Sequence, residues 1–347
     1  MNTVDIIVPC YNEAAGLDLF YLRTMESIEG LQNRGYEFRF IFVNDGSKDD
    51  TLQVMMHLAQ QHPRISYLSF SRNFGKEAAM YAGLQASTGD YVIVMDADLQ
   101  HPPELIPKMA ASLEAGHDCC AAMRTSRKGE SPVRSMFSRL FYRISNHLTN
   151  VKLAYGAVDY RMMTRQMVDS ILQLCEVERF SKGIFAWVGF DTEWIPYENV
   201  ERAAGTSKWS FKSLSRYAID GITSFSVVPL RILSVIGGVI SLAAFVYIVI
   251  TLVQTLLYGI QVPGYVTTLC AVLFLGGLIE LSIGVVGEYV AHIYMESKHR
   301  PIYLLKEKCI NTSDQPVEME KSGIAAAPEA ESAPKTESAP KAEIQTT

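Results

Sequence analysis

The sequence predicts an α/β protein with a mostly parallel, doubly wound sheet, followed by a two-helix membrane hairpin. Three observations carry that expectation. Short apolar runs alternate with helical patterns from Val4 to Met123, the signature of βαβ units. Acids, Asn and Gly collect just after those runs, at the strand ends where α/β sheets bind ligands. Finally, no Asp, Glu, Lys or Arg occurs between Ile232 and Ile279.

In chain order, Val4–Val8 reads as a strand and Glu13 to about Asn33 as a helix. Phe38–Val43 is a strand, Asp49–Gln61 a helix, Ile65–Phe70 a strand and Lys76–Ser87 a helix. Tyr91–Met95 is a strand, Pro103–Ala115 a helix and Cys119–Met123 a strand. These strands are continuous apolar runs, as expected where helices cover both faces. Residues 124–160 read as Arg-rich helical and loop material, and residues 179–205 as short strands and turns. Residues 1–205 thus form one domain.

Residues 206–230 read as an amphipathic juxtamembrane segment. Lys208, Lys212 and Arg216 recur every fourth position, with Trp209, Phe211, Leu214 and Ile219 off that stripe, a pattern suited to the headgroup layer. Residues 231–295 hold two spans, about 232–257 and 266–287, each long enough for a bilayer core that takes roughly 20 helical residues. Basic residues flank the pair: Lys208, Lys212, Arg216 and Arg231 before it, Lys298, Arg300, Lys306 and Lys308 after it. The connecting loop Tyr258–Tyr265 is uncharged. The positive-inside rule places both termini and the first domain in the cytoplasm, on the inner face of the cytoplasmic membrane. Val4–Val8 is too short, and lacks the basic flank, to be a signal peptide. Glu280, inside the second span, is a costly intramembrane acid; it faces either the other helix or a partner subunit, which leaves room for a homo-oligomer.

Residues 296–309 read as a basic cytoplasmic segment. Residues 310–347 carry seven acids against three lysines, most of the net charge of −6, and repeat Ser-Ala-Pro-Lys. Such a tail cannot bury a core and is expected to be disordered. Cys10, Cys119, Cys120, Cys175, Cys270 and Cys309 show no C-x-x-C pairing, consistent with a reduced cytosolic domain. No nucleic-acid partner is expected.

The chemistry lies in the loops. Tyr91–Met95 ends in Asp96 and Asp98, with Gln100 two residues on. A buried strand cannot hold two acids, so both sit beyond its end. Their oxygens suit Mg²⁺ or Mn²⁺, and such an ion suits a diphosphate; a plain surface turn is the other reading. Pro9-Cys10-Tyr11-Asn12-Glu13, Asn44-Asp45-Gly46-Ser47 and Ser71-Arg72-Asn73-Phe74-Gly75-Lys76 follow the first three strands. Asp45 also suits an Asx-type turn with Gly46, Lys76 a helix-start surface position, and His101 a turn residue held by Pro102-Pro103.

Together with Val158-Asp159-Tyr160-Arg161, the run Lys182–Gly189, Ala204-Gly205-Thr206-Ser207-Lys208 and the hairpin, these loops resemble the family 2 glycosyltransferases of GT-A fold. More closely, the chain up to about residue 309 resembles the bacterial polyprenyl-phosphate (bactoprenol) glucosyltransferases, relatives of dolichol-phosphate mannose synthase. The resemblance implies an inverting enzyme that moves a hexose, glucose first, from a UDP-sugar to undecaprenyl phosphate; galactose, N-acetylglucosamine and mannose stay open. It implies that Pro9, Tyr11, Asn12, Glu13 and Asp45 hold the uridine and that Arg72 and Lys76 face the diphosphate. Asp98 would be the principal metal ligand, Asp96 would share the ion or the ribose, and Gln100 would be a further ligand. Arg124, Arg127 and Arg143, in a cluster with Arg139, would grip the lipid phosphate with Lys208. Asp159 would bind a sugar hydroxyl or act as base, although Ala157-Val158-Asp159-Tyr160 stands where relatives often carry Gly-Asp-Phe.

Two other readings are weaker. A processive polysaccharide synthase carries Gln-x-x-Arg-Trp, and none of Trp187, Trp194 or Trp209 follows an Arg. A catalytically silent nucleotide-sugar-binding scaffold has no need of intact Asp96, Asp98 and Asp159.

Overall fold

A computed structural model describes residues 2–125, 142–143, 145–147, 149, 151–174, 176–198, 223, 226–258, 264–311 and 319–320. Arg127, Arg139, Lys208 and nearly all of the 206–227 amphipathic segment lie outside these residues.

The chain begins β1 (Asn2–Cys10), α1 (Leu17–Gln32), β2 (Tyr36–Asn44), α2 (Thr51–Gln61), β3 (Ile65–Phe70), α3 (Lys76–Ala86) and β4 (Tyr91–Val94). After a short 3₁₀ turn come α4 (Ile106–Glu114) and β5 (Cys119–Arg124). β6 (Ala157–Thr164), α5 (Arg165–Leu172), α6 (Ser181–Trp187) and β7 (Thr192–Tyr197) complete the first domain. Then follow α7 (Val228–Tyr258), α8 (Tyr265–Ser297), β8 (Leu305–Cys309) and β9 (Met319–Glu320). One sheet takes all nine strands in the order β7-β5-β6-β4-β1-β2-β3-β8-β9. β4, β1, β2 and β3 are mutually parallel. The chain runs outward from β1 through β2 to β3, then returns to the other side of β1 as β4. The β1–β4 junction is therefore the topological switch point, and the carboxyl ends of both strands open there.

Side-chain alternation sorts the sheet into two faces. Val4, Ile6, Val8, Phe38, Phe40 and Phe42 pack under α1, α2 and α4. Ile7, Val92, Val94 and Met163 face α3, α5 and α6. Each fully buried side chain of this size contributes about 1.5–3 kcal/mol relative to exposure.

Two strands depart from the sequence expectation. β6 lies within and just beyond the 124–160 region read as helix and loop, and runs antiparallel between β4 and β5. Asp159 and Arg161 interrupt its apolar pattern, so it does not announce itself. β8 lies in the segment read only as basic and cytoplasmic. It pairs antiparallel with the outer edge of β3, returning the chain to the sheet after the hairpin. Beyond it, Asn311 is buried and Met319–Glu320 pairs with β8, so part of the 310–347 stretch expected to be disordered joins the sheet edge.

The two long helices differ from everything before them. Val228–Tyr247 and Phe274–Ser297 are apolar and long enough to cross a membrane, and neither buries residues against the protein. Val239, Leu242 and Phe245 are more than 60% exposed, as are Phe274 and Ile283 on α8. Apolar surface of this extent calls for a bilayer. α8 runs past the expected end of its span, and its final turns touch the first domain: Glu296 Oε1 accepts from the Val177 N–H at 2.8 Å, and His292 pairs with Glu178.

Candidate active site

The loops after β1, β2 and β3 are stitched into one wall. The Asn12 N–H donates to Ser47 Oγ at 3.0 Å and Asn12 Oδ1 accepts from the Lys48 N–H at 2.8 Å. The Glu13 N–H donates to Thr51 Oγ1 at 2.9 Å. Asn12 does this with φ +56°, a left-handed conformation that Asn tolerates better than most residues. Gly46, at φ +63°, lets the second loop meet the third: a Cβ there would come within 2.4 Å of the Arg72 carbonyl carbon. Only glycine fits such an approach.

Asp45, 3% exposed, is the clasp of this wall. Its Oδ1 accepts from the Phe74 N–H at 2.6 Å, its Oδ2 from the Gly75 N–H at 3.0 Å and from Asn73 Nδ2 at 2.9 Å. Burial pushes its carboxyl up to about 6, against the pull of the Phe74 and Gly75 N–H groups and Arg72. With its oxygens so engaged, Asp45 shapes the Arg72–Gly75 loop. Arg72 itself is exposed, with its guanidinium 4.0 Å above the Phe74 ring. Pro9 is in β1 opposite Val43, and Tyr11 stands half-buried just beyond it.

At the switch point Lys76, the first residue of α3, reaches across the sheet. Its Nζ lies 2.7 Å from Asp96 Oδ1 and 2.8 Å from Asp159 Oδ2. β6 makes this possible: as an antiparallel insert beside β4, it delivers Asp159 to the carboxyl end of β4. Burial alone would raise the Asp159 carboxyl, but Lys76, Lys182 and Arg161 outweigh it and hold the group well below the usual carboxylate range. Lys76 is correspondingly held in its charged form: burial works against it, and the two carboxylates prevail. A carboxylate held that low is a weak proton acceptor at neutral pH, because an effective base titrates near the working pH.

Past β4 the chain turns sharply. Leu99 sits at φ +55°, and Asp98 Oδ1 accepts from the Gln100 N–H at 3.1 Å. Strain of this kind collects at functional sites. His101 lies in a bend, as expected of a turn residue, and is also buried beneath the site, where it stacks on Tyr160 at 5.4 Å. Its Nδ1 has no hydrogen-bond partner and lies 3.9 Å from Asp96 Oδ2.

A model of glycosyl transferase family 2 matches residues 5–172, and one of the GtrB C-terminal hairpin matches residues 228–293. A glycosyltransferase of Bacillus subtilis (strain 168), CsbB, is 48% identical over 90% of this chain and 94% of its own length. The bactoprenol glucosyl transferase of Shigella phage SfX is 40% identical over 88% of this chain and 99% of its own. An Escherichia coli (strain K12) prophage homologue is 40% identical over 87% and 98%.

The chain belongs to glycosyl transferase family 2. It is a GT-A-fold glycosyltransferase, and its hairpin makes it a membrane-associated one.

In this family 2 enzyme Asp96, Asp98 and Gln100, the residues expected from the sequence to hold a metal, follow the carboxyl end of β4, and their side chains offer oxygen donors. Among the described residues no group of three or more His, Cys, Asp or Glu forms a closed metal cage. Mg²⁺ is commonly held by one or two carboxylates plus substrate phosphates, and Asp96 and Asp98 are donors of that type.

The expected phosphate-binding arginines are only partly in view. Arg124 ends β5 alongside Tyr197, and Arg143 is exposed; Arg127 and Lys208 lie outside the described residues. Lys182 acts on Asp159 but drew no role from the sequence. Its place in the Lys182–Gly189 run was a signal, without anything to say which way it faced.

Proposed function

We propose that this family 2 transferase moves glucose from UDP-glucose to undecaprenyl phosphate at the inner face of the cytoplasmic membrane, with inversion. The observation that carries this reading is the double junction between active domain and hairpin, through β8 on β3 and through α8 on Val177 and Glu178. An enzyme acting on a soluble acceptor has no use for a site fixed to two apolar spans. The Shigella phage and Escherichia coli relatives named for bactoprenol glucosyl transfer support the choice of sugar and lipid.

The chemistry needs little from the protein as proton acceptor. A lipid phosphate monoester is mostly ionised near neutral pH, since its second pKa is about 6. One of its oxygens attacks the anomeric carbon, forming the new C–O bond as the bond to the UDP β-phosphate breaks; the bonding pair leaves with UDP. A single displacement inverts the anomeric centre. Tyr11, Asn12 and Glu13 would face the uridine, with Pro9 beneath and Asp45 fixing the adjoining loop. Arg72 would stand at the diphosphate. Asp159, ionised and anchored by Lys76, would hold a sugar hydroxyl rather than take a proton. Arg124, Arg127, Arg143 and Lys208 would line the approach of the lipid phosphate. A divalent ion, Mg²⁺ or Mn²⁺, on Asp98 with Asp96 and Gln100 would offset charge on the departing UDP.

The test is transfer of label by the purified full chain from a panel of nucleotide sugars to undecaprenyl phosphate, with Mg²⁺, Mn²⁺ or EDTA. UDP-glucose should give labelled lipid in a metal-dependent reaction. Labelled lipid from another hexose alone would change the sugar, and none from any donor would sink the reading. Asp98→Ala should abolish transfer while leaving membrane insertion intact.

A further inference from the structure

A cavity of about 150 Å³ adjoins Arg161, on the α5 and α6 side of the sheet. Three cations line it, Lys152, Arg161 and Lys182, together with the rings of Phe185, Phe190 and Trp194. Among its described lining residues none is acidic. Arg161 is only 3% exposed, and its Nε has no hydrogen-bond partner. Its guanidinium lies 3.7 Å over the Phe185 ring and donates through Nη2 to the Val158 carbonyl at 3.1 Å. Asp159, two residues along β6, offsets part of its charge, but a buried guanidinium donor left unused remains costly until an acceptor meets it.

The second cation is deliberately placed. Glu77, next to Lys76, accepts from the Ser181 N–H at 3.0 Å and from its hydroxyl, which fixes the start of α6 and so Lys182. The cavity also adjoins the reaction centre, because Asp159 is two residues from Arg161 on the same face of β6. It is near the membrane as well: α6 begins just after Glu178, the residue paired with His292 near the end of α8. An engineered apolar cavity of about this volume admits benzene, so a phosphate and the first carbons of a chain are within its capacity.

We propose that this cavity is the seat of the acceptor phosphate: it takes a phosphate monoester on an apolar chain, with the oxygens on Lys152, Arg161 and Lys182 and the first chain carbons on Phe185, Phe190 and Trp194. The proposal rests on the lipid-phosphate reading above and adds the residues at which the phosphate comes to rest. A free phosphate would satisfy the same cations without using the rings, and this separates the two sources.

The experiment reads equilibrium binding to the full chain in detergent, with farnesyl phosphate, farnesol and inorganic phosphate as probes. Fluorescence of Trp194, in a background with Trp187→Phe and Trp209→Phe, reports occupancy. Farnesyl phosphate should bind at least a hundredfold more tightly than inorganic phosphate, and farnesol should not displace it. Lys182→Gln and Lys152→Gln should each weaken farnesyl phosphate about tenfold or more, with UDP-glucose binding within twofold in Lys152→Gln; Lys182→Arg should restore most of the loss. Equal affinity for inorganic and farnesyl phosphate would overturn the proposal in favour of a free-anion site. So would unchanged farnesyl phosphate binding in the Lys152→Gln/Lys182→Gln pair, or a matching loss of UDP-glucose binding in Lys152→Gln. Because binding is read without turnover, a protein that binds farnesyl phosphate here but transfers no sugar overturns the proposed function and leaves the cavity assignment standing.

Discussion

Lys76 Nζ bridges Asp96, at the end of β4, and Asp159, in the antiparallel insert β6, at 2.7 Å and 2.8 Å. One ammonium thus ties the neighbouring strands β4 and β6 beside the switch point and neutralises much of the charge their carboxylates bring together. Removing one partner of a fully buried ion pair costs about 3–5 kcal/mol, because a charge is left uncompensated. Here the Lys76 side chain keeps 35% exposure and Asp96 28%, so water screens part of that loss. Lys76→Met should therefore destabilise the protein by about 2 kcal/mol and abolish transfer. Adding Asp159→Asn should recover part of the stability, a non-additivity expected of groups in contact. Denaturant melts of the four proteins of the cycle decide it, and strict additivity would mean that the bridge is not a coupled unit.

Asp159 offers a second test, through the shape of a pH profile. Its carboxyl is held well below the usual range, with burial opposed by the stronger effects of Lys76, Lys182 and Arg161. It is then ionised throughout the range from pH 5 to 8, and it should contribute no limb to the profile of kcat/KM there. Asp159→Asn should lower the rate by about 10²-fold or more while leaving the shape of the profile unchanged. Loss of an acidic limb in the variant would instead identify Asp159 as the general base.

That Asp96 and Asp98 lie beyond a strand end was legible because an apolar strand cannot contain them, and the four ligand-type loops all fall at carboxyl ends of parallel strands. The hairpin was legible for the same solvation reason. What escaped was whatever depends on a distant partner. β6 holds Asp159 and Arg161 in mid-strand, and only the Lys76 bridge and the Phe185 ring explain how it bears them. β8 reads Leu-Lys-Glu-Lys-Cys, a weak alternation that becomes a strand because β3 presents an open edge. Asp45 was recognisable as a site residue by type, but its engagement with the Phe74 and Gly75 N–H groups requires the fold.

The burial of Asp45 has a signature in stability against pH. Burial lifts the Asp45 carboxyl to about 6 in the folded protein, whereas an unfolded chain titrates near 3.9. Between those values the folded state binds more protons than the unfolded one, so the contribution of this group is fully present below about pH 4. It falls as pH rises, at up to about 1.4 kcal/mol per pH unit, and is lost through pH 6. Asp45→Asn cannot titrate and should flatten the stability profile between pH 4 and 6. Chemical denaturation of both proteins across that interval measures it, and parallel profiles would show that the carboxyl titrates elsewhere.

The return of the chain to the sheet after the hairpin can be weakened at one side chain. Asn311, just past β8, donates through Nδ2 to the carbonyls of Ile65 at 2.7 Å and Ala59 at 3.2 Å, and its N–H donates to Ser66 Oγ at 3.0 Å. Tyr303, ahead of β8, stacks on Phe70 at 4.9 Å and donates to Gln85 at 2.8 Å. Asn311→Ala strands two buried carbonyls, and each unsatisfied group costs about 1–3 kcal/mol. Water can reach part of the sheet edge, so a loss of about 2 kcal/mol is expected. The change should appear as faster hydrogen exchange in Leu305–Cys309 and the facing residues of β3, with β1 and β4 unaffected. Because β8 is one of two junctions between hairpin and active domain, kcat for lipid transfer should fall while UDP-glucose affinity holds. Unchanged exchange in β8 would mean that the strand is secured by its backbone ladder alone and that Asn311 is not its anchor.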